Sequence, residues 1–219
     1  MAEHAHAAAA HVAHHFDDAE QQHSAASLGM WVFLVTEVML FGGMFTAYVV
    51  YRSHFPEAFG HASSHLDVRL GTINTAVLIC SSLTMALAVH AAQIGAARGR
   101  IVAWLAATLT LGTAFLAIKA YEYAHKIHQG LAPGPAFTYA GADARQAELF
   151  FSIYFAMTGT HAFHMIIGAG LLSWLMVQAR RGRFGPAYYT PVELGGLYWH
   201  FVDIAWIFLF PMLYLIGRH

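Results

Sequence analysis

Five apolar stretches dominate the pattern of hydrophobic and polar positions along the chain. A helix that crosses about 30 Å of hydrocarbon needs roughly 20 apolar residues, and only a helix or a closed barrel satisfies its own backbone there. The alternation of apolar and polar positions that marks barrel strands is absent from these stretches. The pattern therefore predicts an all-α integral membrane bundle of five transmembrane helices. We place the spans at about residues 28–50, 73–94, 101–121, 149–177 and 197–216.

The residues outside the spans divide into a tail and several connections. Residues 1–27 are rich in Ala and hold six of the sixteen histidines but no Lys or Arg, so we interpret them as a disordered or weakly helical cytoplasmic tail rather than a signal peptide or metal site. Residues 28–219 form the membrane domain. The longest connection is 122–148, where Pro133-Gly134-Pro135 rules out a continuous helix.

Composition narrows the classes of protein further. Hydrophobic residues make up 58% of the chain and charged residues 11%, which is far from the composition of a soluble globule. A formal net charge of -1 provides no basic surface for nucleic acid, and one cysteine cannot build a disulfide framework or a Cys-rich metal site.

The arginines predict the orientation of the chain in the membrane. Arg98 and Arg100 follow the second span closely, and Arg180, Arg181 and Arg183 follow the fourth. Positive residues close to span ends favour the inner side, whereas those on the other side are scattered through longer connections. We expect a multi-pass protein of a bacterial-type cell membrane, with the N-terminus cytoplasmic and the C-terminus outside.

Glu37 is an acid within the first span. An ionisable residue at this depth costs roughly 2.5 to 3.5 kcal/mol on insertion scales, so it needs a partner, water or a neutral form. Phe33, Leu34, Leu40 and Phe41 surround it one turn away on the helix. We expect a dry site and a protonated carboxyl that donates a hydrogen bond. A structural role and a proton-linked role both predict this chemistry.

The fourth span carries two histidines on one face. His161 and His164 are three residues apart, and Ala156, Thr160 and Gly168 continue a stripe of small residues that lets another helix approach closely. The imidazoles can bind metal, ligate haem or hydrogen-bond to a carboxylate. Since a metal needs more than two protein ligands, we favour the structural hydrogen bond.

Two further pairs follow the same spacing of three residues. His200 and Asp203 can pair on one face of the fifth span, and Lys119 and Glu122 form a second pair near the end of the third. Lys119 can instead snorkel to the headgroups. Pro211 should bend the last helix.

Taken in order, these motifs resemble subunit III of the haem-copper cytochrome c oxidases. The matching pieces are Trp31 through Tyr48 with Glu37, Asn74-Thr75 followed by Ser81-Ser82, Glu122-Tyr123, Phe155 through Gly168, and Tyr198 through Asp203 with Trp206. The match covers nearly the whole hydrophobic part. The common form of the family has seven helices, and this chain resembles a five-helix form that lacks the first two, so the lipid-holding cleft of the family would need another subunit to complete it.

The resemblance implies an accessory subunit of a complex that passes electrons from cytochrome c to oxygen, forms water and translocates protons. This chain would bind no redox centre and would not itself be catalytic; haem and copper would lie in partner subunits. It would pack directly against catalytic subunit I, assemble with subunit II and smaller subunits, meet cytochrome c only through the complex, hold structural phospholipid and support proton uptake. Alternatively, the chain would be a subunit of a quinol oxidase or an accessory protein of nitric oxide reductases. The oxidase could also belong to a respiratory supercomplex.

The resemblance also assigns residues. Glu37 matches the family's intramembrane acid, which is linked to proton and lipid behaviour, while His161, His164, His200 and Asp203 match signature positions without a catalytic role. Headgroup contacts would come from residues near helix ends, for which the candidates are Trp199, Arg98, Arg180 and Arg181. Two rival classes stay open: a membrane cytochrome with His90, His161, His164 and His200 as haem ligands, and a small proton-linked transporter.

Overall fold

The computed structural model describes residues 13–14, 16–141 and 143–215, and the regular structure in them is helical. The helices are α1 Ala19–His54, α2 Pro56–Ser64, α3 Val68–Gln93, α4 Arg98–His128, α5 Ala144–Arg180 and α6 Thr190–Phe210, followed by a π-helical segment at Pro211–Leu215. Helices α1, α3, α4, α5 and α6 with its π-helical segment are long and apolar enough to cross a membrane. The predicted all-α bundle with five spans is therefore confirmed.

The helices extend beyond the apolar stretches that predicted them. Helix α1 begins at Ala19, inside the segment interpreted as a tail, because Asp18 caps it by accepting a hydrogen bond from the backbone N–H of Gln21 at 2.7 Å. Residues 1–12 of the predicted tail lie outside the described residues. The short helix α2 was not predicted; it begins with Pro56, a residue suited to the first turn of a helix.

Four of the long helices form a closed unit and the fifth stands at its edge. Helix α3 packs beside α4, α4 beside α5, α5 beside α6, and α6 beside α3, whereas α1 lies against α5 and α6. The buried residues of α1 are Leu34, Phe41 and Tyr48, seven residues apart, so it contacts the unit along one narrow stripe. The remaining apolar surface of α1 is free to meet lipid or another protein chain.

Trp199 lies in the interior of the four-helix unit, between α4 and α5. A methyl group at Gly112 of α4 would lie 2.6 Å from the Trp199 ring, and one at Gly168 of α5 would lie 2.9 Å from it, so both glycines admit the indole. The predicted close approach is confirmed at Gly168, whereas Ala156 at the other end of the small-residue stripe is exposed. The predicted headgroup contact of Trp199 is wrong, because its side chain is buried and donates a hydrogen bond to Ser81 Oγ at 2.8 Å.

Pro211 changes the type of helix at the end of the last span. Proline lacks the N–H that an α-helix needs at this point, and the chain continues as a π-helix. The Tyr48 hydroxyl donates to the carbonyl of Met212, so α1 is attached to this segment. The π-helical segment also places Tyr214 inside the bundle.

Candidate functional site

Glu37 and His164 form a hydrogen-bonded acid–base contact between α1 and the four-helix unit, which we call the central pair. Glu37 Oε2 lies 2.9 Å from His164 Nε2, and the two side chains are 16% and 9% exposed. Both residues sit near the middle of their helices. Of the roles considered for the histidines of the fourth span, a hydrogen bond to a carboxyl group is the one found for His164.

The hydrogen bonds of His164 fix how many protons the central pair holds. Nδ1 lies 2.8 Å from the carbonyl oxygen of Thr160. Because a carbonyl can only accept, Nδ1 carries a hydrogen. Nε2 then either accepts from a neutral Glu37 carboxyl or donates to a Glu37 carboxylate. In both arrangements the pair shares one further proton and has no net charge, which suits its depth in the membrane.

The surroundings of the central pair are mainly aromatic. The Phe41 ring lies 5.4 Å from the His164 ring, and the Tyr198 hydroxyl donates to the backbone carbonyl of His164 at 3.0 Å. The dry neighbourhood expected for Glu37 is thus present on the side facing the bundle. The other side of the carboxyl is partly open, because α1 stands at the edge of the fold.

His161 does not join the central pair. Its ring is fully buried, neither nitrogen has a hydrogen-bond partner, and it packs against the rings of Phe115 and Trp206 at 5.4 and 5.3 Å. The structural hydrogen bond favoured for the histidines of the fourth span is therefore absent at His161. Residues three apart on a helix differ in direction enough that His161 meets α4 and α6 while His164 meets α1.

The predicted pair between His200 and Asp203 is not formed. His200 Nδ1 lies 2.7 Å from Ser82 Oγ on α3, and the two oxygens of Asp203 have no hydrogen-bond partner. The hydroxyl on the adjacent helix is a closer partner than a side chain one turn along the same helix. Asp203 is 3% exposed, so its carboxyl group is buried rather than in contact with bulk water.

Lys119, Glu122, Tyr154 and Tyr214 form what we call the lysine cluster, which joins α4, α5 and the π-helical segment. Lys119 Nζ donates to Glu122 Oε2 at 2.9 Å, to the Tyr214 hydroxyl at 2.9 Å and to the Tyr154 hydroxyl at 3.2 Å. The Tyr214 hydroxyl in turn donates to Glu122 Oε1 at 2.6 Å. Every hydrogen of the ammonium and both oxygens of the carboxyl group thus have a partner.

The local part of this arrangement was predicted, and the rest was not. The Lys119–Glu122 pair is confirmed, but Lys119 is 3% exposed and does not snorkel to headgroups. Its Nζ lies 5.0 to 5.5 Å from four aromatic ring centres, which add cation–π attraction. Tyr154 lies seven residues before His161 on the inward face of α5, a spacing that could have indicated its place in the interior.

The arginines proposed for lipid contact lie together at one end of the bundle. Arg98, Arg180 and Arg181 are exposed. The Arg98 guanidinium lies against Gly182, which turns the chain after α5 with a positive φ of 73°. Their contact with headgroups stays a prediction.

The four histidines of the rival cytochrome interpretation do not converge. His90 is exposed near the end of α3, while His161, His164 and His200 have the separate environments described above. Within residues 13–14, 16–141 and 143–215, no three or more His, Cys, Asp or Glu side chains are grouped to hold a metal ion.

Comparisons with known proteins agree with the arrangement of motifs. The family model for cytochrome c oxidase subunit III matches residues 7–218. The chain is 32% identical to quinol oxidase subunit 3 of Bacillus subtilis (strain 168), covering 87% of this chain and 86% of that protein. It is 34% identical to cytochrome c oxidase subunit 3 of Corynebacterium diphtheriae, with 87% of each covered, and 33% identical to cytochrome bo(3) ubiquinol oxidase subunit 3 of Pseudomonas aeruginosa, with 97% and 95% covered. The chain belongs to the cytochrome c oxidase subunit III family.

Proposed function

We propose that this chain is the accessory, non-redox subunit III of a respiratory haem-copper oxidase that uses cytochrome c as its electron donor. In this role it stabilises catalytic subunit I by direct packing, holds phospholipid and supports proton uptake, while the oxidation of cytochrome c and the reduction of oxygen take place in partner subunits. The family match and the relatives named as oxidase subunits support the assignment.

The central pair is the observation that carries the proton-linked part of the proposal. Glu37 and His164 share one proton at 2.9 Å, near the middle of their helices, and Glu37 lies on the long helix that is least enclosed by the rest of the chain. The pair can accept a second proton or release the shared one, and either step creates a net charge that the surroundings oppose. Such a pair exchanges protons with groups brought close to α1 by a partner subunit.

The hydrogen bonds of the histidines support the proposal that the chain binds no redox centre. Both ring nitrogens of His164 and Nδ1 of His200 are already engaged, and His161 is packed between aromatic rings. Haem ligation by any of them would require these contacts to be exchanged. The ligands of haem and copper would therefore come from the partner subunits.

The exposed arginines support the proposed binding of phospholipid and the proposed orientation of the chain in the membrane. Arg98, Arg180 and Arg181 lie at the same end of the bundle as the start of α1, where His23 Nδ1 lies 3.1 Å from Thr190 Oγ1. Arginines at this end can bind phospholipid phosphates and favour the cytoplasmic side for the N-terminus. The chain would then be a multi-pass protein of a bacterial-type cell membrane.

A quinol oxidase is the second candidate for the parent complex. The identity to quinol oxidase subunit 3 of Bacillus subtilis is 32%, close to the 34% found for a cytochrome c oxidase subunit. The same role of the chain follows in both complexes. Turnover of the purified oxidase with reduced cytochrome c or with quinol distinguishes the donors.

The test is a Glu37→Gln variant in the intact oxidase, with Val38→Ala as the matched control because Val38 is an exposed neighbour on α1. Glutamine preserves the size of the side chain but cannot release a proton. We expect normal assembly and haem content, slower proton uptake and a several-fold shorter active lifetime during turnover. Wild-type uptake and lifetime in Glu37→Gln would contradict the proton-linked role and leave the pair purely structural.

The rival classes have separate tests. A haem-to-complex ratio that falls in a His161→Leu or His164→Gln variant would support a membrane cytochrome. Proton-coupled substrate flux in vesicles that contain only this chain would support a transporter. We expect neither result, and an oxidase catalytic subunit should copurify with the chain in mild detergent.

A further inference from the structure

A pocket of about 240 Å³ opens on the outside of the four-helix unit between α3 and α6, and we call it the groove pocket. Its lining includes the polar side chains of Thr75, Ser82, His200 and Asp203. Ile79 and Ile204 form part of its wall and are 55% and 50% exposed on the surface of the bundle. The groove pocket is therefore a mainly apolar recess that contains a few polar groups, and it opens on an apolar outer surface.

The polar groups of the groove pocket are only partly satisfied within the chain. His200 uses Nδ1 for its contact with Ser82 Oγ at 2.7 Å, while Nε2 makes no hydrogen bond to a described residue. Ser82 also lies near the Asp203 carboxyl, but neither carboxyl oxygen has a partner with hydrogen-bond geometry. Asp203 is 3% exposed whereas His200 is half-buried, so the imidazole is the more accessible of the two groups.

The depth of the groove pocket makes this arrangement unfavourable in lipid alone. His200 and Asp203 lie near the middle of α6, one of the helices that are long and apolar enough to cross a membrane. Polar side chains at this depth are costly unless they are paired, and acyl chains offer no hydrogen bond. Side chains with hydrogen-bonding groups on a neighbouring helix supply such partners in membrane proteins. The volume also exceeds the roughly 30 Å³ that one water takes in the liquid, and it suits a whole side chain.

We propose that the groove pocket docks a transmembrane helix of another subunit of the oxidase, which inserts a neutral polar side chain that bonds to His200 Nε2. A hydroxyl or amide group fits, since it both donates and accepts whichever way the Ser82–His200 hydrogen bond points. The isoleucines around the recess supply the apolar contact that such a helix also needs. This inference rests on the proposed function, because it takes the chain to be an assembled subunit.

Photo-cross-linking in the intact oxidase tests the proposal. A photoreactive amino acid is placed at Ile79 or at Ile204, and Ile166 on α5, which is 59% exposed on a different helix, is the matched control. We expect both pocket positions to cross-link to the same transmembrane segment of one oxidase subunit, identified by mass spectrometry, and the control position not to reach that segment. Adducts to lipid or detergent alone, or to a second copy of this chain, would overturn the proposal.

A substitution inside the groove pocket provides the second measurement. His200→Phe fills the space without a hydrogen-bonding group, and His90→Ala removes an exposed histidine elsewhere. We expect His200→Phe to lower both the cross-link yield at Ile204 and the amount of this chain retained in the purified oxidase several-fold, with no change in His90→Ala. Unchanged yield and retention in His200→Phe would also overturn the proposal.

The outcomes separate this inference from the proposed function. If the unmodified chain does not copurify with an oxidase, the proposed function fails. If it copurifies but Ile79 and Ile204 reach only lipid, the docking inference alone fails.

Discussion

The lysine cluster and the central pair are both acid–base pairs, but they are suited to different roles. Both join an acid to a base within the membrane at 2.9 Å. The lysine cluster is closed by two tyrosines and connects helices that already pack tightly, whereas the central pair connects the four-helix unit to α1, which touches it along one stripe. A buried ion pair whose hydrogen bonds are all made stabilises the fold. A pair with one open side at a loosely held helix is suited to exchange protons.

The largest expected effect comes from breaking the lysine cluster. Lys119→Met leaves the Glu122 carboxyl buried without its cation, and loss of one partner of a buried pair typically lowers stability by about 3–5 kcal/mol. We expect a large fall in the folded yield and thermal midpoint of the chain in the complex. The double variant Lys119→Met/Glu122→Leu should recover part of the lost stability. A Lys119→Met variant as stable as the wild type would show that the lysine cluster does not stabilise the fold.

A smaller effect should come from the packing around Trp199. Gly168→Ala forces a methyl group to within 2.9 Å of the buried indole, and overpacking of this kind costs about 1–3 kcal/mol. Gly170→Ala is the control, because a methyl group there meets nothing within 4 Å. Thermal unfolding of the two variants in the same detergent checks the difference. Equal midpoints would mean that the four-helix unit is looser than the contacts indicate.

Disruption of the central pair should have a smaller effect on stability than on proton transfer. Glu37→Gln can still donate a hydrogen bond to His164, so the free energy of unfolding should fall by no more than the roughly 0.5–1.5 kcal/mol that one hydrogen bond contributes. The thermal midpoint should stay close to that of the wild type while proton uptake slows. A collapse of the folded yield would place the central pair in the same structural class as the lysine cluster.

The smallest expected effect lies outside the spans, at His65 beside α2. Burial, and then the positive charge of Lys126, whose ammonium donates to the His65 carbonyl, lower the pKa of His65 below its usual value of 6.5. The unfolded chain therefore binds the proton more readily, and stability falls slightly as the pH drops below that value. His65→Gln should flatten this small dependence between about pH 7 and pH 5. An identical pH profile of the thermal midpoint in both proteins would contradict it.

The features that could be predicted from the sequence are those set by local spacing. Five apolar stretches predicted the five spans, the small residue Gly168 indicated the close approach, and a separation of three residues predicted the Lys119–Glu122 pair. Each depends on one helix and on the general properties of lipid.

The features that could not be predicted depend on how the helices are rotated against one another. His164 and Glu37 are 127 residues apart, and only the docking of α1 on α5 makes them partners. The packing of the helices likewise decides that His200 contacts Ser82 on α3 instead of the expected Asp203. It also places Trp199 in the core rather than at a membrane interface. The short helix α2 was missed because its sequence is neither long nor apolar enough to stand out.

The central claim is that Glu37 and His164 act as one unit that shares a proton. A double-mutant cycle measures it most directly, with Glu37→Gln, His164→Gln and the double variant compared by the active lifetime of the intact oxidase during turnover. We expect the double variant to lose no more lifetime than the more severe single variant, because either change already removes the shared proton. Losses that simply add would contradict it, since they would show that the two side chains act independently.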